Sequence, residues 1–372
     1  MNSSIDTLLP KTDILKWREV YSLALLNAAV VISWIAYHEY QPVLMEKMEI
    51  THLLDFLVIS KAIILVIIPP FAGWLSDYVL RRNGKYLIVF TIGVGATAMI
   101  FMVVATLIST HHLMDIKTLL PFMIVLWLIS MNLFISPANS MIEAFAPAQK
   151  LPIVMGFLFL ITELLYALEP VIVGLVSFFG DTLTFVVGGV LIAGAGIVFH
   201  IVSSDEVLQR KQELLATHDG KRQTYLSYLA ILVIGLVLGM AKAFLIEFVP
   251  EIMEKRHPEL GNWGQYISFG LLGISAFIGF AIAKYVSSKP LGTVIVISFC
   301  SLFAGLLTLI LTDNLIFMVL GGFVTACSFS FINVSGLPFV IRHLTVHHIT
   351  YGVGIYIGAS EIITGIFEYL FR

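Results

Sequence analysis

The stretch HEYQPVLMEKM, residues His38–Met48, returns in altered form as IEFVPEIMEKR at residues Ile246–Arg256. Glu, Pro, Met, Glu and Lys occupy the same five of eleven positions in both stretches, which lie 208 residues apart. Glu and Lys are rare in apolar segments, so matched positions for them indicate an internal repeat rather than a chance likeness of composition. The spacing predicts a chain built from two related halves.

A second pair of similar segments supports the repeat. Gly156 is followed seven residues later by Glu163, and Gly354 is followed seven residues later by Glu361. Each pair lies inside a long apolar run, where an ionisable residue is costly. We therefore expect the two glutamates to lie at corresponding depths of the two halves.

The composition indicates a polytopic membrane protein. Of the 372 residues, 59% are hydrophobic and 12% are charged, and the mean hydropathy is +0.97. A soluble domain carries about 25% charged residues. The net charge is −3 and the sequence has no basic stripe, which excludes nucleic-acid binding. Cys300 and Cys327 lie in apolar runs and are interpreted as small buried residues, not as a disulfide or a metal site.

Eleven apolar runs are long enough to cross the bilayer as helices. We predict them at residues 18–40, 53–79, 86–109, 119–145, 152–178, 182–203, 225–249, 263–285, 290–311, 314–340 and 350–370. Fourteen of the 21 lysines and arginines then fall on the side of the N-terminus, five fall on the other side, and two fall within spans. The positive-inside rule places the N-terminus in the cytoplasm.

The repeated stretches both close a span on the outer side, so the two halves are a parallel repeat. We predict an N-terminal six-helix bundle at residues 1–203, a charged cytoplasmic linker at 204–224 and a C-terminal bundle at 225–372. Two six-helix halves related by an axis along the membrane normal form the major facilitator architecture. Only five spans fit in the second half, so we expect a twelfth helix beyond Arg372, with an eleven-helix variant as the alternative.

The loop between the second and third spans reads GWLSDYVLRRNGK, residues Gly73–Lys85, and resembles the signature loop of the major facilitator superfamily. The resemblance implies that the loop latches the outward-facing state, whereas the alternative is a solvated basic loop that obeys the positive-inside rule. Its length resembles the glycoside–cation symporter and sucrose-transporter branch, although Tyr78 stands where an arginine is usual. The predicted gating residues are Gly73, Asp77, Arg81, Arg82, Gly84 and Lys85.

Acidic residues within the spans are the candidates for proton coupling, because a buried carboxylate can take up and release a proton at accessible pH. Such residues usually face the interior of a bundle and mark a pathway. The candidates are Glu163, Glu361, Glu169, Glu39 and Glu247. A structural Lys–Glu pair, such as Lys61 with Glu163, is the alternative. Carboxylates also bind Na⁺, so H⁺ is the favoured coupling ion and Na⁺ the second choice.

The first and seventh spans normally line the central cavity of this family, and they supply most of the candidate solute ligands. In the first span Asn27, Trp34 and His38 share one helical face, and a shift of 208 residues places Lys242 opposite Trp34. The predicted substrate-binding residues are Asn27, Trp34, His38, Lys61, Lys242 and Asn132. Helix–helix hydrogen bonds for the asparagines and interfacial anchoring for Trp34 are the alternatives.

From this resemblance we expect a secondary active transporter that moves a small polar solute, either a sugar, a sugar acid or an organic anion, by proton symport. We expect no cofactor and no metal, because the histidines lack Cys or carboxylate partners at ligand spacing. The sequence has no nucleophile elbow, phosphate loop or zinc motif, so we expect no enzyme. The bacterial inner membrane is the expected location.

Two other functions fit the same scaffold. A transport-inactive membrane sensor or assembly protein would have little reason to keep charged residues within its spans. A lipid flippase would need an apolar lateral portal instead of a charged centre.

Overall fold

The computed structural model describes residues 15–47, 53–84, 86–109, 113–203, 224–261 and 263–370, and no β-strand occurs in these ranges. The helices are α1 (Trp17–Lys47), α2 (Leu54–Asn83), α3 (Ile88–Ser109), α4 (Leu113–Ser140), α5 (Ile142–Phe145), α6 (Leu151–Ala167), α7 (Glu169–Ser203), α8 (Tyr225–Ala243), α9 (Val249–Arg256), α10 (Trp263–Ser287), α11 (Leu291–Leu311), α12 (Leu315–His343) and α13 (Ile349–Leu370). A π-helical turn, Phe244–Phe248, joins α8 to α9. The predicted cytoplasmic linker and Lys85 lie outside the described residues.

Eleven of the described segments are long and apolar enough to cross a membrane. Each overlaps one of the eleven spans placed from the sequence, so the prediction of an all-α polytopic membrane protein is confirmed. The bounds differ most at the fifth span, which ends at Ala167 and not at 178, and at the sixth, which begins at Glu169 and not at 182. The seventh span is assembled from α8, the π-helical turn and α9, and the short helix α5 ends the fourth. Backbone groups in lipid must be satisfied within the segment, which helices alone achieve without pairing to a neighbour.

Two residues shape the connection between the fifth and sixth spans. Helix α6 ends at Ala167, and α7 begins directly after it with Glu169 and Pro170, whose missing N–H breaks the ladder of helical hydrogen bonds. Within α7 the backbone leaves the helical conformation at Gly180, where φ is 75° and ψ is 173°. Glycine adopts this conformation without steric cost. This break at Gly180 lies between the predicted spans 152–178 and 182–203.

Helices of each predicted half pack among themselves. In the first half α3 packs against α4 and α7, and α1 packs against α6 and α7; in the second half α11 packs against α12, and α8 against α13. An aromatic group fills the first half, with Phe90 5.0 Å from Phe199 and 6.0 Å from Phe134 between ring centroids. The division at residues 203 and 225 stays a prediction.

The largest contacts between the halves are made by two helix pairs, α2 with α13 and α6 with α10. A Cβ atom at Gly354 would clash with the α2 backbone at Pro69, and one at Gly156 would clash with Ala283 of α10. These are the two glycines that precede the matched glutamates in sequence. Their equivalent places at the two interfaces are what a two-fold related pair of halves requires.

Candidate functional site

The two ends of the helix bundle differ in how the halves meet. We call the end that carries Asp77 the loop end, and the end that carries the repeated stretches 38–48 and 246–256 the repeat end. The contacts that bridge the halves through hydrogen bonds concentrate at the loop end, as described below. The candidate solute residues lie between the two ends.

Two polar contacts close the loop end across the halves. The Asp77 carboxylate, which is buried, accepts a hydrogen bond of 2.9 Å from the backbone N–H of Tyr351 in the first turn of α13. A carboxylate is favoured at a helix N-terminus because the unpaired N–H groups there carry positive partial charge. The guanidinium of Arg342 donates to the carbonyl of Ala148, with Nε at 3.1 Å and a second nitrogen also in contact.

A buried group of hydroxyls adds a third link at the loop end. The Tyr86 hydroxyl donates to the Pro137 carbonyl at 2.9 Å and lies 3.2 Å from the Thr350 hydroxyl of α13. The Ser140 hydroxyl touches Tyr86 and lies 3.3 Å from Thr350. All three hydroxyl-bearing side chains are fully buried. Buried hydroxyls that satisfy one another stabilise the arrangement that brings them together.

The other gating candidates that the structure describes lie on α2 near Asp77 and at its end. Gly73 lies against the backbone of Thr350, so that any side chain there would clash. Arg81 donates through Nε to the Asp77 backbone carbonyl at 3.2 Å, and Arg82 donates to the Tyr78 hydroxyl at 3.0 Å. Gly84 ends α2 with φ 65° in the left-handed region. Asp77 thus faces the N-terminus of α13, and the roles of these residues in gating stay predictions.

A charged group lies midway along the spans. The Lys242 ammonium on α8 is 3.8 Å from a carboxylate oxygen of Glu361 on α13 and 5.9 Å from the centroid of the Tyr166 ring on α6. Lys242 also interacts electrostatically with Glu163, one turn before Tyr166 on α6. The two side chains of the ion pair are 28% and 20% exposed. The ammonium therefore joins acidic groups from both halves at an accessible place.

Glu163 is the most enclosed of the candidate carboxylates. Its side chain is 6% exposed, and its Oε2 has no hydrogen-bond partner among the described residues. A buried polar atom without a partner calls for an explanation, and a change of protonation is one of those available. Lys61, the partner considered for Glu163 in the sequence, instead lies 6.0 Å from the Trp34 ring centroid.

Aromatic rings line the first-half side of the site. Trp34 packs edge-on to Trp127 with centroids 5.2 Å apart, and Tyr37 stacks on Trp127 at 4.8 Å. His38 lies 6.0 Å from Trp34 and is exposed, while it interacts electrostatically with both Lys61 and Lys242. Trp34 thus lies near Lys61, and His38 interacts with Lys242 of the charged group.

The remaining candidates occupy other places. Asn132 is buried and donates to the Leu128 carbonyl of its own helix at 2.8 Å, which favours the structural alternative for this residue. Toward the repeat end, Glu169 interacts electrostatically with both Glu247 and Glu39. Asn27 is half-buried on α1, on the loop-end side of Trp34. No cluster of His, Cys, Asp or Glu suited to a metal ion occurs within the described residues.

Sequence reasoning missed several residues of the site. Tyr166 could have been found, because it lies three residues after Glu163 and therefore on the same helical face. Tyr86 and Arg342 carried no local signal, since their partners are 264 and 194 residues away along the chain. Trp127 lies in an apolar run that differs little from ordinary core sequence.

Comparison with known proteins agrees with the architecture. The family model described as Major Facilitator Superfamily matches residues 42–367. The fold is similar to the crystal structure of the human organic anion transporter MFSD10 (TETRAN), with a TM-score of 0.69 and 11% identity over 94% of this chain and 91% of that chain. It is also similar to the crystal structure of the nucleoside transporter NupG, with a TM-score of 0.53 and 14% identity over 94% of this chain and 90% of that chain. A sequence search of curated proteins found no match.

Proposed function

The chain belongs to the major facilitator superfamily, and on that premise we propose that it transports an organic anion together with a proton by alternating access. Sugar acids fall within this class of solute. The observation that carries the proposal is the Lys242–Glu361 pair, a cation and its loosely held counter-ion in the middle of the spans. Ionisable residues at that depth usually mark the path of a solute or an ion.

The Lys242–Glu361 pair is longer than a tight ion pair. A charge-assisted hydrogen bond between an ammonium and a carboxylate is about 2.7–2.9 Å long. The ammonium of Lys242 and the carboxylate of Glu361 are 3.8 Å apart and partly exposed. An anion can therefore reach Lys242 by displacing a partner that is not tightly bound.

Coupling to protons follows from the neighbouring carboxylates. An anion beside Lys242 also lies beside Glu361 and near Glu163, and like charges this close in a poorly solvated site disfavour simultaneous ionisation. A proton on either carboxylate removes the repulsion, so the anion and the proton bind together. Glu163 is the first candidate because its Oε2 accepts no hydrogen bond within the described part of the chain.

The two halves contribute different parts of the site. Lys242 and Glu361 lie on α8 and α13 of the second half, whereas Glu163 and Tyr166 lie on α6 of the first. Rocking of one half against the other would keep the ion pair and change the distance from Lys242 to Glu163. The electrostatic environment of the proton site thus depends on which end is closed.

The distribution of lysine and arginine supports a cytoplasmic loop end. With that orientation the conformation described here is closed to the cytoplasm by the Asp77 and Arg342 contacts, and the exposed His38 faces outward. Transport would require those contacts to break. The bacterial inner membrane stays the predicted location.

The test is solute-driven proton uptake in proteoliposomes with a pH dye inside. Gluconate, glucuronate, ethanesulfonate and the neutral sugar sucrose are added outside in turn. We expect an anion to acidify the interior with the wild-type protein, and Lys242→Gln and Glu163→Gln to abolish the signal. Glu254→Gln, which neutralises an exposed carboxylate on α9, is the matched control and should behave as the wild type.

The other possible outcomes distinguish between the solute classes, the coupling ions and the alternative functions. Acidification by sucrose alone would overturn the anion assignment in favour of a sugar. Anion uptake that needs Na⁺ and moves no proton would overturn the assignment of H⁺ as the coupling ion. If no solute moves with either ion, the sensor or assembly alternative is supported.

A further inference from the structure

A groove lies open between α2 and α13, on the repeat-end side of the middle of the bundle. Its volume is about 500 Å³. Its walls are Val58, Ile59, Ala62, Ile63, Val66, Ile67, Glu361, Ile362, Gly365 and Ile366. Every wall residue except Glu361 is aliphatic or glycine.

The groove opens sideways toward the bilayer. Ile59, Ile63 and Ile67 recur every four residues on one face of α2 and are 50%, 53% and 56% exposed. On a helix that crosses a membrane, exposed aliphatic side chains of this kind contact lipid acyl chains. The groove is therefore reached from the hydrocarbon region and not only from water.

The inner wall of the groove connects it to the charged site. Glu361 lines the groove, and its carboxylate is 3.8 Å from the Lys242 ammonium. An ionisable group on an otherwise aliphatic wall is costly in lipid unless it serves a ligand or a partner. Ala62 of α2 and Gly365 of α13, which also line the groove, mark where the two helices come close together.

We propose that the groove holds the alkyl chain of an amphiphilic organic anion whose acidic group pairs with Lys242. The proposal rests on the proposed function and specifies its class of substrate: an anion with an aliphatic tail, which enters laterally from the bilayer. The acidic group displaces Glu361 from Lys242, and the tail lies along the isoleucines of α2. Aliphatic walls offer no hydrogen-bond partner, so a polar chain would be desolvated there without compensation.

The charges at the inner end favour an anionic over a cationic head group. Glu361 already has Lys242 as its counter-ion, so a cationic head would be placed against the ammonium. An anionic head exchanges one carboxylate for another at the same cation. An ordinary lipid that occupies the groove without reaching Lys242 is the competing occupant, and the variants below distinguish it.

The experiment compares octanesulfonate with ethanesulfonate, which share a head group and differ in chain length. Binding is measured by titration calorimetry of the protein in lipid nanodiscs, with empty nanodiscs subtracted for partition into lipid. We expect octanesulfonate to bind the wild type at least about tenfold more tightly, since two buried methylene groups already supply that much. Ile63→Trp and, on the other wall, Ile366→Trp should remove this preference and leave ethanesulfonate affinity unchanged. Ile92→Trp, an equally exposed position on α3, is the control and should keep the preference.

The Lys242→Gln variant distinguishes failure of the groove proposal from failure of the proposed function. We expect it to weaken both sulfonates together. If both bind through Lys242 but chain length has no effect, or the preference survives both wall variants, the groove proposal is overturned and the anion transporter stands. If octanesulfonate binding survives Lys242→Gln but not the wall variants, the groove is a separate lipid site and the proposal is also wrong. If neither sulfonate binds, or both survive Lys242→Gln, the proposed function fails, and the inference fails with it.

Discussion

Removal of the Asp77 carboxylate should open the loop end. Asp77→Ala deletes a 2.9 Å hydrogen bond that the Tyr351 N–H donates to the Asp77 carboxylate, which links α2 to α13. A hydrogen bond to a charged group contributes about 1.5–3 kcal/mol, and the favourable interaction with the helix N-terminus adds about 0.3–1 kcal/mol. We take the combined loss to be about 2 kcal/mol. If the closed state is populated 99 to 1 over the open state in the wild type, this loss would reduce the ratio to about three to one.

The shift can be read from the distance between spin labels at the loop end. Labels are attached at Arg82→Cys and Lys289→Cys, two exposed positions on opposite halves, in a protein whose Cys300 and Cys327 have been changed to serine. Pulsed electron resonance in nanodiscs then gives the distance distribution. The wild type should show one short distance, and Asp77→Ala should add a longer component.

Glu254→Gln, which neutralises an exposed carboxylate at the other end, is the control and should leave the distribution unchanged. If Asp77→Ala gives the same single distance as the control, the carboxylate does not hold the halves together. The Arg342 and Tyr86 contacts would then have to account for closure on their own.

Three further substitutions test the packing and the charges. Gly354→Ala should lower the melting temperature because its Cβ would clash with the α2 backbone, whereas Gly194→Ala, which meets open space, should leave it unchanged or raise it. Tyr86→Phe should lower the melting temperature by leaving buried partners of its hydroxyl unsatisfied, at about 1–3 kcal/mol, and should add the long distance in the spin-label assay. A hydrogen bond of 2.8 Å with Glu259 raises the pKa of His257 above its usual value, so its stabilising effect is full below about pH 6.5 and is lost as pH rises through the raised pKa. The melting temperature of His257→Gln should therefore fall short of the wild type at about pH 6 and match it at about pH 9; an equal gap at both would contradict the assignment.

The helices could be predicted from the sequence because each one is determined by its own apolar run. A run of apolar residues long enough to cross the bilayer must form a helix, whatever its neighbours do. The repeat added a global constraint, since Gly156 and Gly354 precede matched glutamates. The structure places both glycines at interfaces between the halves. Local pattern and internal symmetry were thus enough for the architecture.

The interior of the site depends on which residues meet across the bundle, and that is not a local property. Asn132 has the polarity of a ligand, yet it bonds to the Leu128 carbonyl of its own helix. Lys61 and Lys242 are both lysines within spans, but one lies beside Trp34 and the other beside Glu361. The sequence indicated that ionisable groups are present without saying which of them pair.

The two halves also differ where the repeat is strongest. Helix α1 runs unbroken through its repeated stretch, including Pro42, whereas the matching stretch contains a π-helical turn before α9. The turn directly follows Lys242 and Ala243. A π-helical turn inserts one residue into the helix and reorients the side chains beyond it, and such turns are frequent at functional sites. Lys242, the residue equivalent to Trp34 in the repeat, is therefore followed by a π-helical turn, whereas Trp34 is followed by regular α-helix.

This asymmetry explains how one cation can serve both halves. Lys242 keeps Glu361 as a partner within its own half, and it faces Tyr166 and Glu163 across the interface. Under the alternating access proposed above, motion of the halves would change the second set of contacts and not the first. If each half had its own lysine, each lysine would interact with its counter-ions equally in the two conformations, closed at one end or at the other. The interaction energy would then not depend on which end is open. In the proposed mechanism, a lysine in one half and Glu163 in the other would make the energy of a proton on Glu163 depend on the conformation, and coupled transport requires such a dependence.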